Sequence, residues 1–474
     1  MKAPPVHRAD ALGNFTLFLN RCVGGCNVHP GGNDATTDSS DIATVAASLN
    51  EHAWMTGEWE GVVQCVKEVY SPFNIVVTDQ RPTSSNYNEV IVAGSAGAIG
   101  YPGGGACGVG EFSVTPCAPT TNAVAFTFTE GGCHEAFAAE DPDPNGATTG
   151  IFGTCWVIAQ ETAHSFALDH EFQYKDTGRS ACNDPMTYRS DCGGQKFFRN
   201  EYATCGEFSQ ASVHACGGVC GDTQNSHGRL LAVLGPGTPI TKPPTIALNA
   251  PAEGATIKTG TAVIGTGGAQ RGIARVELWL NGYKWGQTLG VDFGPQGQPV
   301  AAYTVQVPDG VPDSKYDLVL KAFDDIDVEG DTAVLHVVKG KATGCDPTVA
   351  NPDGTIDTCL AGQSCTDGKC AWTDAGTGEF GAACTYPQFC VSGDCDGTGA
   401  TVICTHDCVM SIADSCPMGY ECTPSMAGTA CLPAGAASGG GCCSVGEAGL
   451  PAVATHGGLA LATLGLLFRR RRRR

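Results

Sequence analysis

The sequence predicts a multidomain exported chain: an α/β domain, then a β-sandwich, a small disulfide-rich module and a C-terminal transmembrane helix. Three observations predict it. Gly and Pro contribute 65 and 27 of the 474 residues while charged residues are only 16%, which suits turns and β modules better than a helical bundle. Of 26 cysteines, twelve lie between Cys22 and Cys220, twelve between Cys345 and Cys431, and none from 221 to 344. Two disulfide-bearing blocks therefore flank a Cys-free one, with a connectivity that spacing does not reveal. The last six residues are all Arg and follow an apolar stretch. Thiols in such number point outside the cytosol. The net charge is −21, and −27 once the terminal arginines are set aside; such a body repels phosphate backbones and excludes nucleic-acid binding.

Residues 1–235 form the first unit. Trp59, Val62, Val63, Val66 and Tyr70 recur at helical spacing, so Glu58–Tyr70 is an amphipathic helix, stopped by Pro72. Val- and Ile-rich runs at 73–79, 89–93 and 123–129 read as strands, and a second helix covers 154–168. Gly235-Pro236-Gly237-Thr238-Pro239 opens a stiff linker, 236–244. From 245 to 340, Val276/Leu278/Leu280 and Tyr316/Leu318/Leu320 alternate with polar neighbours and Asn281-Gly282 signals a hairpin, the marks of a β-sandwich. Asp324, Asp325, Asp327, Glu329 and Asp331 near its last strands read as a solvated acidic loop, with a structural Ca2+ as the alternative. The same two readings apply to Asp141-x-Asp143-x-Asn145-Gly146, whose twelfth position is Phe152 instead of Glu. Within 345–433, Cys359-x5-Cys365-x4-Cys370 recurs 25 residues later as Cys384-x5-Cys390-x4-Cys395. So little apolar content needs disulfides to fold. A zinc ribbon is the other reading, against which paired C-x2-C knuckles are missing.

The stretch Gln160-Glu161-Thr162-Ala163-His164-Ser165-Phe166-Ala167-Leu168-Asp169-His170, followed by Asp184-Pro185-Met186-Thr187-Tyr188, carries the chemistry. On a helix, residues 160 and 164 share a face one turn apart and Glu161 projects beside them; His170 can return to the same point after a turn. This pattern resembles the metzincin metalloproteases, H-E-x-x-H-x-x-G-x-x-H followed by a Met-turn, and makes the first unit an α/β metzincin-like catalytic domain. The resemblance implies Zn2+ held by Gln160, His164 and His170, with Glu161 as general base, Met186 as the Met-turn and Tyr188 as a partner for the oxyanion. The implied reaction is peptide hydrolysis by a zinc-bound water. Two positions depart from the family. Gln160 stands where it has its first His, and a neutral amide is a poorer zinc ligand than imidazole. Ala167 stands at its Gly, where a positive φ costs about 1 kcal/mol with a Cβ present. The resemblance also implies that the 123–129 strand is a sheet edge that pairs an extended substrate. His134-Glu135 has Ala138 in place of a second His and reads as a surface loop.

Unit 245–340 resembles bacterial Ig-like domains, a likeness of fold with little functional content. At the C-terminus, residues 434–447 form a Gly/Ala-rich lead holding Cys442 and Cys443. The apolar part of 448–474 spans about 30 Å as a helix, enough to cross a bilayer core with the arginines kept cytoplasmic. This arrangement resembles the MYXO-CTERM sorting tail of myxobacterial surface proteins. It implies transient anchoring in the inner membrane, processing by a sorting protease, and lipidation at Cys442 or Cys443. Delivery to the cell surface or outer membrane, or secretion, follows. A plain tail anchor is the alternative. Residues 1–8 lack the apolar core of a signal peptide, so a start further upstream is expected.

Two functions of different classes follow. One is a surface-anchored or secreted zinc-dependent endopeptidase acting on extracellular protein. The other is a catalytically degenerate domain that binds peptides or serves as an adhesive surface module.

Overall fold

Gly, Pro and Cys interrupt the apolar runs of this chain every few residues, so its strands are short and its sheets small. The computed structural model describes residues 15–434 apart from 104, 113–116, 141–149, 173–182, 190–193, 208–209, 294–297, 349–358, 361, 373–375, 385–386, 398–401, 407, 409–415 and 426–427. Strands β1 (Phe15–Asn20), β2 (Cys26–Pro30), β3 (Ser39–Ser40) and β4 (Ala47–Leu49) precede helix α1 (Glu58–Tyr70). Then come β5 (Ile75–Thr78), β6 (Tyr87–Val92), β7 (Gly108–Val109), β8 (Val124–Thr127), helices α2 (Cys133–Glu140) and α3 (Ile151–His164), strands β9 (Ala203–Thr204) and β10 (Thr223–Gln224), and helix α4 (Ser226–Leu234).

Five strands form a sheet in the order β5-β1-β6-β8-β7, parallel except for β7. Phe15, Leu17 and Leu19 of β1 pack on one face with Trp59, Val62 and Val66 of α1 and Ile158 and Ala163 of α3. Phe18, Ile91 and Phe126 pack on the other with Val28 and Leu49. Burial on both faces is why Val90, Ile91 and Val92 of β6 and Val124, Ala125 and Phe126 of β8 are consecutive apolar residues. A disulfide between Cys65 and Cys155 staples α1 to α3.

Nine strands follow: β11 (Thr245–Ala250), β12 (Thr256–Ile257), β13 (Ala262–Gly268), β14 (Arg275–Leu280), β15 (Tyr283–Leu289), β16 (Ala301–Gln306), β17 (Ser314–Phe323), β18 (Glu329–Asp331) and β19 (Leu335–Lys339). β11, β13 and β16 make one sheet and the other six a second. Val263 and Tyr303 of the first share a core with Leu278, Leu318 and Leu320 of the second. Asn281 and Gly282 turn β14 into β15 with φ of 51° and 82°, the backbone that the Asn-Gly pair allows.

Three hairpins end the described chain: β20 (Gln363–Thr366) with β21 (Lys369–Trp372), β22 (Asp394–Asp396) with β23 (Ile403–Thr405), and β24 (Tyr420–Ser425) with β25 (Gly428–Pro433). Each is crossed by two disulfides joining first to third and second to fourth cysteine: 345–365 and 359–370, 384–395 and 390–404, 408–422 and 416–431. The 25-residue sequence repeat is thus out of step with the pairing, since Cys365 pairs upstream and its counterpart Cys390 downstream.

The fold class expected from the sequence is corrected. In place of an α/β metzincin-like catalytic domain and a C-terminal transmembrane helix, the described chain is mostly small β-sheets, with four α-helices; the disulfide-rich region expected toward its C-terminus is present. No helix among the described residues is long and apolar enough to cross a membrane. The reason lies in the punctuation of the sequence: only α1 and α3 run beyond three helical turns, each with a Gly and a Cys inside it, and turn residues and disulfides break the rest into short segments. Cys442, Cys443 and the 448–474 stretch lie outside the described residues, as does the acidic turn at 141–149.

Candidate metal centre

Helix α3 carries Gln160, Glu161 and His164 on its last turn and a half, all buried, with exposures of 3%, 9% and 2%. Ala167 then takes φ 62°, and the amide of Leu168 donates to the carbonyl of Ala163 at 3.2 Å. This left-handed turn, made without Gly, sends the chain back so that His170 meets His164: their Nε2 atoms are 3.1 Å apart and their rings perpendicular at 4.6 Å. His164 Nδ1 lies 2.8 Å from the Leu168 carbonyl oxygen. A carbonyl only accepts, so Nδ1 carries the proton and Nε2 presents its lone pair toward His170.

Glu161 Oε2 lies 4.0 Å from His164 Nε2. Burial pushes its carboxyl up to about 8, opposed by an N–H from Gly110. Burial lowers the imidazole of His164, and burial with the neighbouring His164 and His214 pushes His170 down to about 2. Both imidazoles are therefore neutral near pH 7, the form in which they bind metals. The ring of Tyr188 lies 4.3 Å from that of His170, tilted by 43°, and burial raises its phenol.

The segment bearing Met186 and Tyr188 is fixed to α3 from several sides. Met186 is fully buried in the core shared by α1 and α3, and its carbonyl accepts from Glu171 at 2.9 Å. The Trp156 indole donates to the Pro185 carbonyl at 2.8 Å. Lys196, 3.2 Å from the centre of the Trp156 ring, donates to the carbonyls of Thr187 and Arg189 at 3.3 and 2.6 Å.

The structure thus sets His164 against His170, with Glu161 4.0 Å from His164 and the Tyr188 ring beside His170, while Met186 is buried in the neighbouring core. Gln160 is less committed: its Nε2 has no hydrogen-bond partner among the described residues. A metal implied by the sequence fits these residues. Two nitrogens on one tetrahedral zinc stand about 3.3 Å apart, close to the observed separation, and a second ring nitrogen tied to a backbone carbonyl is the usual companion of a metal-binding His. The partnerless atom of Gln160 is the amide nitrogen, a donor, so the fit rests on the two imidazoles, and only the amide oxygen of Gln160 could join them as a ligand.

Several contributors escaped sequence reasoning. β7 lies beyond β8, so the 123–129 strand is internal and β7 is the sheet edge. Gly108 and Gly110 let this edge lie on α3: a Cβ on Gly110 would collide with the Glu161 carbonyl, and one on Gly108 would stand 2.6 Å from its carboxylate. Phe112, next along, sets its ring 4.3 Å from that of His164 at a tilt of 36°. Asp169 accepts from His214 Nε2 at 3.0 Å and the amide of Gly217 at 2.8 Å, tying the Cys205–Cys216 loop beside His170. The Gly-x-Gly spacing was the one visible signal for β7; the others are long-range pairs.

Elsewhere, three cysteine groups, Cys345/Cys359/Cys365, Cys384/Cys390/Cys395 and Cys408/Cys416/Cys422, bring their sulfurs within 4.8 Å of one another, close enough to hold a metal, but all nine pair in disulfides. His134 is not on a surface loop: it sits in α2, its Nε2 2.7 Å from Glu58 Oε1. The acidic run is solvated only toward its end, where Glu329 and Asp331 are exposed. Asp324 and Asp325 are buried against Arg271, while Asp327 pairs with Arg275 and Glu329 with Lys321.

No family model and no curated protein matches the chain. Among solved structures, fibronectin(III)-like modules of Clostridium thermocellum CbhA align over 20% of this chain and 93% of their own, at 10% identity and a TM-score of 0.15. Two crystal forms of wild-type OgpA from Akkermansia muciniphila each align over 71% of this chain, covering 98% and 100% of their own, at 10% and 11% identity and a TM-score of 0.19. At such scores the likenesses decide nothing about fold or activity.

Proposed function

We propose that the chain is an exported zinc-dependent endopeptidase whose metal site is of the metzincin type, acting on extracellular protein. The observation that carries this reading is the His164–His170 pair, with Nε2 atoms 3.1 Å apart and the His164 tautomer set by the Leu168 carbonyl. His164, His170 and the Gln160 amide would hold the ion. Bound zinc supplies Lewis acidity for a peptide carbonyl.

The remaining work belongs to the chain. Glu161, its carboxyl raised by burial, would take a proton from water once ionised, the form that a bound cation would favour. Tyr188 donates to the oxygen that gains charge. Phe112 covers one side of His164 and limits solvent there. Eleven disulfides among the described residues support an extracellular setting. Sorting through Cys442 or Cys443 belongs to the same proposal.

The second reading, a degenerate peptide-binding or adhesive module, draws on Gln160 replacing an imidazole. Metal analysis with a casein cleavage assay separates the two. Stoichiometric zinc, with cleavage lost in Glu161→Ala while zinc is kept, supports the endopeptidase. A metal-free protein that binds peptide tightly overturns it in favour of the module.

A further inference from the structure

The Met186 segment is held from the two-sheet unit. Asp184, fully buried, accepts from the amides of Met186 and Arg199 at 2.8 and 2.7 Å and from the Ser226 hydroxyl at 2.5 Å, so residue 199 and the 184–186 turn move together. Arg199 is buried, and its Nη1 donates to the Arg271 carbonyl at 2.7 Å. From across the boundary, Arg271 Nη2 donates to the Phe198 carbonyl at 2.9 Å. Asp325 accepts from Arg271 Nε and Nη2, both at 2.9 Å, and from the amide of Asn200 at 3.1 Å. Arg199 Nε is 3.4 Å from the same carboxylate.

A passive spacer has no reason to bury two guanidinium groups and a carboxylate, because an ion removed from water is costly unless fully paired. Here both guanidinium groups share the Asp325 carboxylate, and the Phe198 carbonyl and the Asn200 amide add backbone partners, while Arg199 Nε and Arg271 Nη1 make no hydrogen bond among the described residues. The chain of contacts runs on from Asp184 through the Met186 carbonyl to the amide of Glu171, the residue after His170.

We infer that Asp325 and Arg271 are positioning residues for the metal centre: the two-sheet unit clamps residues 198–200 and, through Asp184, sets Met186 and Tyr188 against His170. The inference rests on the hydrolytic reading above for its effect on turnover, but the clamp itself is measurable without it.

The test uses the full chain, with Asp325→Ala, Asp325→Asn and Arg271→Lys. Three readouts are compared: kcat and KM on a peptide substrate, the visible absorption of the Co2+-loaded protein, and amide hydrogen exchange at 184–200. For Asp325→Ala, kcat falls about 10- to 100-fold with KM little changed, as for a misplaced reacting group. The cobalt bands shift, and exchange at 198–200 rises at least about tenfold. Should that variant fail to fold, Asp325→Asn and Arg271→Lys carry the test, with smaller changes of the same kind. Wild-type kcat, cobalt bands and exchange in both conservative variants overturn the inference. If the wild-type chain takes up no Co2+ and cleaves nothing, the hydrolytic reading falls alone. Exchange then decides the clamp: a rise confined to 184–200 upholds it, and no rise overturns it.

Discussion

His164 and His170 present their Nε2 atoms to one another across 3.1 Å, with the proton of His164 held on the far nitrogen by the Leu168 carbonyl. The weak point of this site is Gln160, one turn before His164, whose buried amide nitrogen has no hydrogen-bond partner among the described residues. Gln160→His replaces a neutral amide by an imidazole on the face that the two ligands share, and zinc affinity rises by more than about 100-fold. Competition with a chromogenic chelator measures it; unchanged affinity would mean that residue 160 does not face the ion.

How much of this was legible depends on range. Helix α1 spans Glu58–Tyr70, the limits its apolar spacing gives, because a single packed face sets a local pattern. Glu161, His164 and the return to His170 were legible for the same reason, being ten residues of one helix and its turn. Asp325 was not. Its partners Arg271, Arg199 and Asn200 lie 54 to 126 residues away, and no periodicity announces a buried ion pair, so the run read as solvated. The edge strand β7 has two residues, Gly108 and Val109, too few for any pattern. The fold class failed where local signals were extrapolated to an architecture.

Ala167 bears a left-handed backbone, φ 62°, at the turn that aims His170. Removing its Cβ relieves about 1–2 kcal/mol of strain and adds back part of that as unfolded-state entropy, so Ala167→Gly stabilises by about 0.5–1 kcal/mol. Urea unfolding of the full chain reads the gain. A loss of stability would show that the turn carries no such strain.

Two disulfides are expected to act in opposite ways. Cys65–Cys155 closes 90 residues and joins α1 to α3 in the core, whereas Cys205–Cys216 closes 11 beside His170. In the chain-entropy view their removal by paired Ala substitutions costs about 4–5 and about 3 kcal/mol respectively. Zinc affinity should follow the reverse order, because Gly206 donates to the His170 carbonyl at 3.0 Å while α3 keeps a hydrogen bond from the Tyr70 hydroxyl to Ala159 at 3.1 Å. Finding affinity more sensitive to the 65–155 bridge would reverse this assignment.

His227, at the start of α4, lies in the same buried cluster as the clamp. Burial, with Arg271 and Arg199 close by and only partly offset by Asp325, pushes its imidazole down to about 4. The unfolded chain takes up a proton near pH 6.5, so between about 4 and 6.5 the unfolded state binds more protons than the folded one and stability rises with pH. His227 therefore contributes stability that is fully present above about pH 6.5 and is lost as pH falls toward 4, on the order of 3 kcal/mol. Asp184, raised by burial to about 6, acts with the opposite sign, so the comparison must be made against a variant. His227→Leu keeps an apolar neighbour for Phe73, whose ring is 5.1 Å from the imidazole, and removes the titration. The drop in unfolding free energy between pH 7.5 and 4.5 should shrink by on the order of 2–3 kcal/mol relative to wild type. An equal drop in both proteins would show that His227 is protonated freely in the folded state and does not share the cluster with Arg271.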